Sequence, residues 1–345
     1  MKIEVEKTPE AGIIYRTEHF EIVSDAELAP PAAKEVAGTF EAIHRLLAAS
    51  PWGILANPAG GRFRIELHAD PDAYLKAGGP SDRPGIYIAS RKVFIAPLES
   101  FGLEKSPKGW QRREDIDTSA LTRALTPMMM NDALAGLPMW LIEGAAGYME
   151  LMPVKGGTFS PAGHLKNVQQ RAGEIEAYPL ARVFTMDRPT WDSGDKDAPA
   201  AKDPSNSTVF GNRSLLPRIN HTGMLITWYF IHAEGDGDAV LLRKFIAACR
   251  ENARVVEDHR KALAAYDKAF AEFIRHPEVE KSPDGSYSYP KTLAPPKSPA
   301  FPFDCAPEQV AFKDIGILLN GRSPEALATA MRDALVAKKI PLPSK

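Results

Sequence analysis

Glu143 is the residue whose chemistry the sequence leaves most open. It lies in Leu137-Pro138-Met139-Trp140-Leu141-Ile142-Glu143-Gly144-Ala145-Ala146-Gly147-Tyr148-Met149-Glu150, where Trp140, Ile142, Ala146 and Met149 line a mostly apolar helical face. A carboxylate on a buried face needs a cation or several donors, whereas one at a helix end is simply solvated, and the spacing admits both. Other candidate groups are scattered. The histidines are His19, His44, His68, His164, His221, His232, His259 and His276. No two are three or four positions apart, so a metal site built on them requires convergence in space. Ser119 and Ser160 lack the context of a nucleophile elbow, and Gly235-Asp236-Gly237 lacks that of a phosphate loop. Cys249 and Cys305 read as two buried thiols, with a single disulfide as the alternative.

The stretch from Leu137 to Glu150 resembles the Pro-x-Trp-hydrophobic-x-Glu-Gly-x-Ala-x-Tyr segment of gluzincin metallopeptidases, and more closely that of bacterial peptidase-MA-like proteins. In that family the Glu before the Gly is the third zinc ligand, which matches Glu143. The preceding helix carries His-Glu-x-x-His, two imidazoles one turn apart with a general base between them. In this chain that slot falls on Arg123-Ala124-Leu125-Thr126-Pro127. Arg123 and Pro127 stand where the histidines would be, and Ala124 stands where the base would be. Neither Arg nor Pro ligates zinc, and Ala takes no proton. The resemblance therefore implies a gluzincin-like fold without catalytic residues and without zinc, in which Arg123 faces Glu143 as its counter-charge. Read from the residues alone, the same stretch is an ordinary pair of core helices, with Leu121, Leu125, Met128 and Met129 at helical spacing.

Two further stretches carry the resemblance. Tyr74, Gly78, Gly79, Gly85 and Tyr87 match its N-terminal part, where the edge strand of a sheet runs along the substrate cleft. Trp228 and His232 match a Trp-x-hydrophobic-hydrophobic-His helix, with Met224 at a place often held by Tyr. Trp140, Tyr148, His221 and Trp228 are the residues expected to line the cleft, which a peptide or protein would occupy. The alternative is an active hydrolase: a metallopeptidase whose metal is held by other residues, or an enzyme without metal.

The elements that must position these groups follow from period and punctuation. Residues 15–24 alternate as a strand, 31–49 read as a helix with Pro near its start, and 62–68 as a strand with Phe63, Ile65 and Leu67 on one side. Asp70 caps a short helix through Lys76, and 85–89 and 92–96 form a hairpin. Residues 99–113 read as a loop, and Asp115 or Asp117 caps the helix that bears Arg123. Pro127 in its interior costs ~3 kcal/mol and predicts a kink or an early end, with a restart at 128–130. Helices are expected at 160–172, 219–232, 239–251, 255–275 and 324–338, and a long loop at 181–211. The fold class is α+β: an N-terminal α/β subdomain (1–113) with the cleft-edge strand, a helical peptidase-like subdomain (114–276), and a Pro-rich connector with a C-terminal helix (277–345).

Composition bounds the partners. The 345 residues are 44% hydrophobic and 25% charged with net charge -2, as in a water-soluble globular chain. That balance argues against nucleic acid or an anionic membrane as the main partner, since both call for a basic face. No apolar run approaches the ~18 residues of a spanning helix, and 223–233 is better read as a buried helix. No leader precedes Lys2. The resemblance implies export, to the periplasm or outside the cell, with the leader removed.

Overall fold

The chain is described by a computed structural model, except for residues 9–11, 51, 59, 82–83, 108, 113–118, 131–132, 153, 156–157, 160, 195–214, 236 and 343–345. It is an α+β fold. β1 (Glu4–Thr8), β2 (Gly12–Arg16) and β3 (Phe20–Ser24) form an antiparallel meander. The expected single strand over 15–24 is thus a hairpin. Alternation runs on through the sequence, but Thr17 turns the chain: its N–H donates to the Phe20 carbonyl (2.9 Å), and its hydroxyl accepts from the Phe20 N–H (3.1 Å).

Helix α1 (Pro30–Ala49) crosses from β3 to the parallel strand β4 (Phe63–His68). Its prolines fall at the first positions, where no N–H is needed. Val36, Phe40, Ile43 and Leu47 recur at helical spacing and are buried in one core with Phe20, Ile22, Ile65 and Leu67 of the sheet. Each such side chain contributes ~1.5–3 kcal/mol. Asp70 caps α2 (Pro71–Lys76) by accepting from the Asp72 N–H. β5 (Ile86–Ile88) and β6 (Val93–Pro97) form the expected hairpin, giving the sheet order β1-β2-β3-β4-β6-β5 with β5 at an edge.

Residues 99–113 were expected as a loop. Instead a 3-10 turn (Leu98–Phe101) ends at Gly102 in the left-handed region, and a ribbon of β7 (Leu103–Ser106) and β8 (Gly109–Arg112) follows. Glu104, Lys105 and Gln111 are exposed, while Leu103 and Trp110 are buried in the core. The capping expectation for Asp115 or Asp117 lies outside the described residues.

Helix α3 (Ser119–Met129) packs against β5 and β6 and against α4 (Met139–Glu150). It passes through Pro127 and ends two residues later, without the restart expected at 128–130; among the described residues a 3-10 turn (Leu134–Gly136) precedes α4. The Met130 N–H bonds back to the Pro127 carbonyl (3.2 Å), and the Ala56 N–H satisfies the Met129 carbonyl (2.6 Å). A two-strand ribbon, β9 (Val154–Lys155) with β10 (Thr158–Phe159), leads into α5 (Pro161–Glu174). Within the expected loop over 181–211, α6 (Leu180–Phe184) and α7 (Arg188–Asp192) are ordered helices, the second capped by Asp187. Residues 195–211 of that expectation lie outside the described part.

Helix α8 (Leu216–His232) is followed by α9 (Val240–Phe273), one continuous helix where two were expected. Nothing between 251 and 255 breaks a helix, and Arg254 pairs with Glu251 and Asp258 across the junction. A small ribbon, β11 (Glu280–Lys281) with β12 (Tyr287–Ser288), interrupts the Pro-rich segment. Then α10 (Gly316–Leu319) and α11 (Pro324–Ala337, capped by Ser323) return to the body. Leu318, Leu327, Met331, Leu335 and Ile340 join the same apolar cluster as α4 and α8. Arg322 clamps the return on Glu234 (2.8 Å). Cys249 and Cys305 are not bonded to each other. No helix among the described residues is long and apolar enough to cross a membrane.

Candidate functional site

Arg123 on α3 and Glu143 on α4 meet. The Arg123 Nη2 donates to Glu143 Oε2 (2.5 Å), and its Nη1 donates to Glu150 Oε2 (3.0 Å). Glu150, two turns after Glu143 on the same helix face, also accepts from Arg171 Nη2 of α5 (3.1 Å). The result is a chain of alternating charge, Glu143–Arg123–Glu150–Arg171. The Arg123 and Glu143 side chains remain 30% and 28% exposed, so the pair is half-buried rather than buried. Burial works against the guanidinium's charge, but Glu143 and Glu150 outweigh it and hold the Arg123 pKa above its ordinary value. In this exposure range each ion pair is worth at most ~1 kcal/mol in isolation.

Two glycines make the arrangement possible. A Cβ on Gly144 would lie 2.3 Å from the Gly223 carbonyl oxygen and from Thr227 Oγ1, so α4 and α8 pack closer than any side chain permits. A Cβ on Gly147 would lie 3.2 Å from Met224 Cβ and 3.4 Å from Arg123 Nη1. Glycine at 147 thus leaves room for the guanidinium to lie along α4 between the two carboxylates.

Beside the ion pairs is a cavity of about 260 Å³, lined by Arg123, Glu150, Arg171, Asn220, His221 and Met224 among others. Two of its polar atoms, His221 Nε2 and Asn220 Oδ1, are buried without hydrogen-bond partners. Burial first, and Arg171 second, push the His221 pKa down to about 4, so its ring is neutral at neutral pH.

The other residues named from the sequence are placed as follows. Ala124 and Pro127 are half-buried on α3 and offer no metal ligand. With a guanidinium against Glu143 and no imidazole in the slot, the residues present do not fit zinc at this position. Trp140 is buried between Phe184 and Phe230, at ring distances of 5.6 and 6.2 Å. Tyr148 and Trp228 are buried too, in a second cluster. There the Tyr148 hydroxyl pairs with His232 Nε2 (3.0 Å), and Trp228 lies 5.0 Å from the His232 ring. His164 completes it, with Nε2 at 3.1 Å from the Tyr148 carbonyl and a pKa pushed by burial to about 4. Of the four aromatic and imidazole residues expected at the cleft, His221 lines the cavity; Trp140, Tyr148 and Trp228 are in the core.

Sequence reasoning missed a different convergence. His19, on the β2–β3 turn, meets Glu41 and His44 of α1. The His19 Nδ1 lies 2.8 Å from Glu41 Oε2, and Glu41 Oε1 accepts the His19 backbone N–H (3.0 Å). The His19 and His44 rings stack with centroids 3.7 Å apart. A larger cavity of about 740 Å³ opens over His19 and Glu41, with Arg16, Lys34, Arg45 and Arg62 also in its wall. The signal was present as Glu41-Ala42-Ile43-His44, a carboxylate and an imidazole one helical turn apart. A search for paired histidines passes over it.

Compared with family models, with curated proteins and with solved structures, the chain has no match.

Proposed function

We propose that this chain is a catalytically inactive, gluzincin-like protein whose cleft binds a peptide segment of a partner. The observation that carries the reading is the Arg123 guanidinium on Glu143. In the resembled enzymes a metal is the counter-charge of that carboxylate; here an arginine is. Ala124, in the place of the general base, has no proton to exchange. Without metal or base, attack of water on a peptide bond gains nothing from this site.

The adjoining cavity supports retention of binding. His221 Nε2 is a neutral ring nitrogen, donor or acceptor by tautomer, and Asn220 Oδ1 is an acceptor. Together they complement the C=O and N–H of a peptide group. The edge position of β5, whose neighbour α3 bears Arg123, supports an extended ligand. Export to the periplasm or beyond the cell accompanies this reading.

The test uses the intact protein and a mixed-sequence peptide library. Peptides that bind are identified and their affinity is followed by fluorescence anisotropy. His221→Ala is expected to weaken them ~10-fold, the value of one hydrogen bond of about 1.4 kcal/mol. Labelled casein incubated with zinc is expected to stay intact. Cleavage that Glu143→Gln abolishes would overturn the reading.

A further inference from the structure

We propose that His19, Glu41 and His44 form a binding site for one zinc-class divalent transition metal ion, in the N-terminal sheet subdomain and apart from Glu143. One ligand atom from each residue lies within 4.8 Å of the other two. Two imidazoles and one carboxylate are a donor set suited to zinc and its neighbours, and unsuited to calcium or magnesium, which take oxygen.

His44 supplies the observation that sets this cluster apart from a chance grouping. The residue is 8% exposed, and its Nδ1 is buried without a hydrogen-bond partner. A buried imidazole nitrogen with no partner has given up its hydrogen bond to water, and a bound cation would supply a partner. Glu41 is 7% exposed, with Oε2 2.8 Å from the His19 Nδ1. Its other oxygen accepts the His19 backbone N–H (3.0 Å), with the Thr17 side chain as a further donor, and a carboxylate has lone pairs left over for a cation.

One movement is required. An imidazole binds a metal through the lone pair in its ring plane, and the two rings are stacked with planes 20° apart. Both reach one ion only if one ring turns. His44 is held edge-on between Phe20 and Phe63. His19 is on a turn, with its side chain 32% exposed, and is the ring able to rotate. Its hydrogen bond to Glu41 is then exchanged for shared coordination of the ion. His19 and Glu41 both line the 740 Å³ cavity, which gives an ion access to solvent. Arg16, Arg45, Arg62, Lys2 and Lys34 in that wall outnumber Glu4, Glu18 and Glu41, which disfavours a bare dication and favours one carrying water or an anionic ligand.

The test uses the full chain, stripped with a chelator and titrated with zinc against a chromophoric competitor. One equivalent per chain is expected, with no binding of magnesium in zinc's place. His19→Ala and His44→Gln are each expected to weaken zinc by more than the ~10–100-fold that loss of an outer-shell partner costs. Glu143→Ala is expected to leave the affinity unchanged, which separates this site from the reading of the cleft. X-ray absorption of the zinc-loaded wild-type protein tests the ligands without any variant, and two imidazoles in the first shell are expected. No binding, binding indifferent to both histidine substitutions, or a first shell without two imidazoles would overturn the proposal.

Discussion

The Arg123 guanidinium lies between two carboxylates of one helix, with Nη2 2.5 Å from Glu143 and Nη1 3.0 Å from Glu150. Glu143 therefore shares its partner, and its own removal leaves Arg123 still paired. The two single substitutions are not equivalent: Arg123→Ala strips a partner from both glutamates, whereas Glu143→Ala leaves Glu150 in place. Denaturation midpoints of the four-corner cycle are expected to show Arg123→Ala the more destabilising single change. The coupling energy between the two should fall near ~0.5–1 kcal/mol, because both side chains are part exposed. Strict additivity would mean that the contact does not exist in solution.

Gly144 gives a sharper stability test. A methyl group there meets the Gly223 carbonyl at 2.3 Å, and backbone cannot yield cheaply. Gly144→Ala is expected to cost at least the ~1–3 kcal/mol of an overpacked core. Gly173, exposed on α5 with open space around its Cβ position, is the control. There Gly→Ala is expected to stabilise by ~0.5–1 kcal/mol, the ordinary gain in a helix. Equal effects at the two positions would contradict the close approach of α4 and α8.

The buried histidines set an acid limit. His164 and His221 are held neutral, with pKa near 4 in the folded chain against about 6.5 when unfolded. Between these values the unfolded chain binds more protons. Stability is thus complete above pH 6.5 and falls as pH drops toward 4, by up to roughly 1.4 kcal/mol per pH unit for each ring. Urea unfolding across pH 4 to 7 checks the sign. His164→Gln is expected to flatten the slope, and stability that rises on acidification would contradict the burial of these rings.

Much of the site could be read before the fold was known, and what could not has local causes. The helix bearing Glu143 announces itself through Trp140, Ile142, Ala146 and Met149 at helical spacing, all buried in the fold. The contact of Arg123 with Glu143 was expected only from the resemblance to the gluzincin helix pair, and the residues alone left Glu143 solvated as the alternative. Glu150 and Arg171 escaped, because a carboxylate at a helix end reads as solvated until α5 is seen to bring a second arginine to it. The hairpin at 12–24 was hidden because Thr17 makes its turn with a hydroxyl rather than with glycine or proline. The unity of α9 was hidden because Glu251, Asn252 and Arg254 interrupt the apolar period over 251–255, while the ion pairs of Arg254 still favour the helix. The meeting of His19 with Glu41 and His44 depends on how the β2–β3 turn lies over α1, and no single-element pattern encodes that.

Zinc stoichiometry of the double variant His19→Ala/His44→Gln, checked to be folded by circular dichroism, tests the central claim most directly. This variant removes both imidazoles of the N-terminal cluster, one from the β2–β3 turn and one from α1, and leaves Arg123 and Glu143 untouched. On the proposed reading, in which Arg123 serves as the counter-charge of Glu143, no tightly bound zinc is expected after dialysis. One equivalent that survives dialysis in this variant, and is lost when Glu143→Ala is added, would show that Glu143 is a metal ligand and that Arg123 has not replaced the ion.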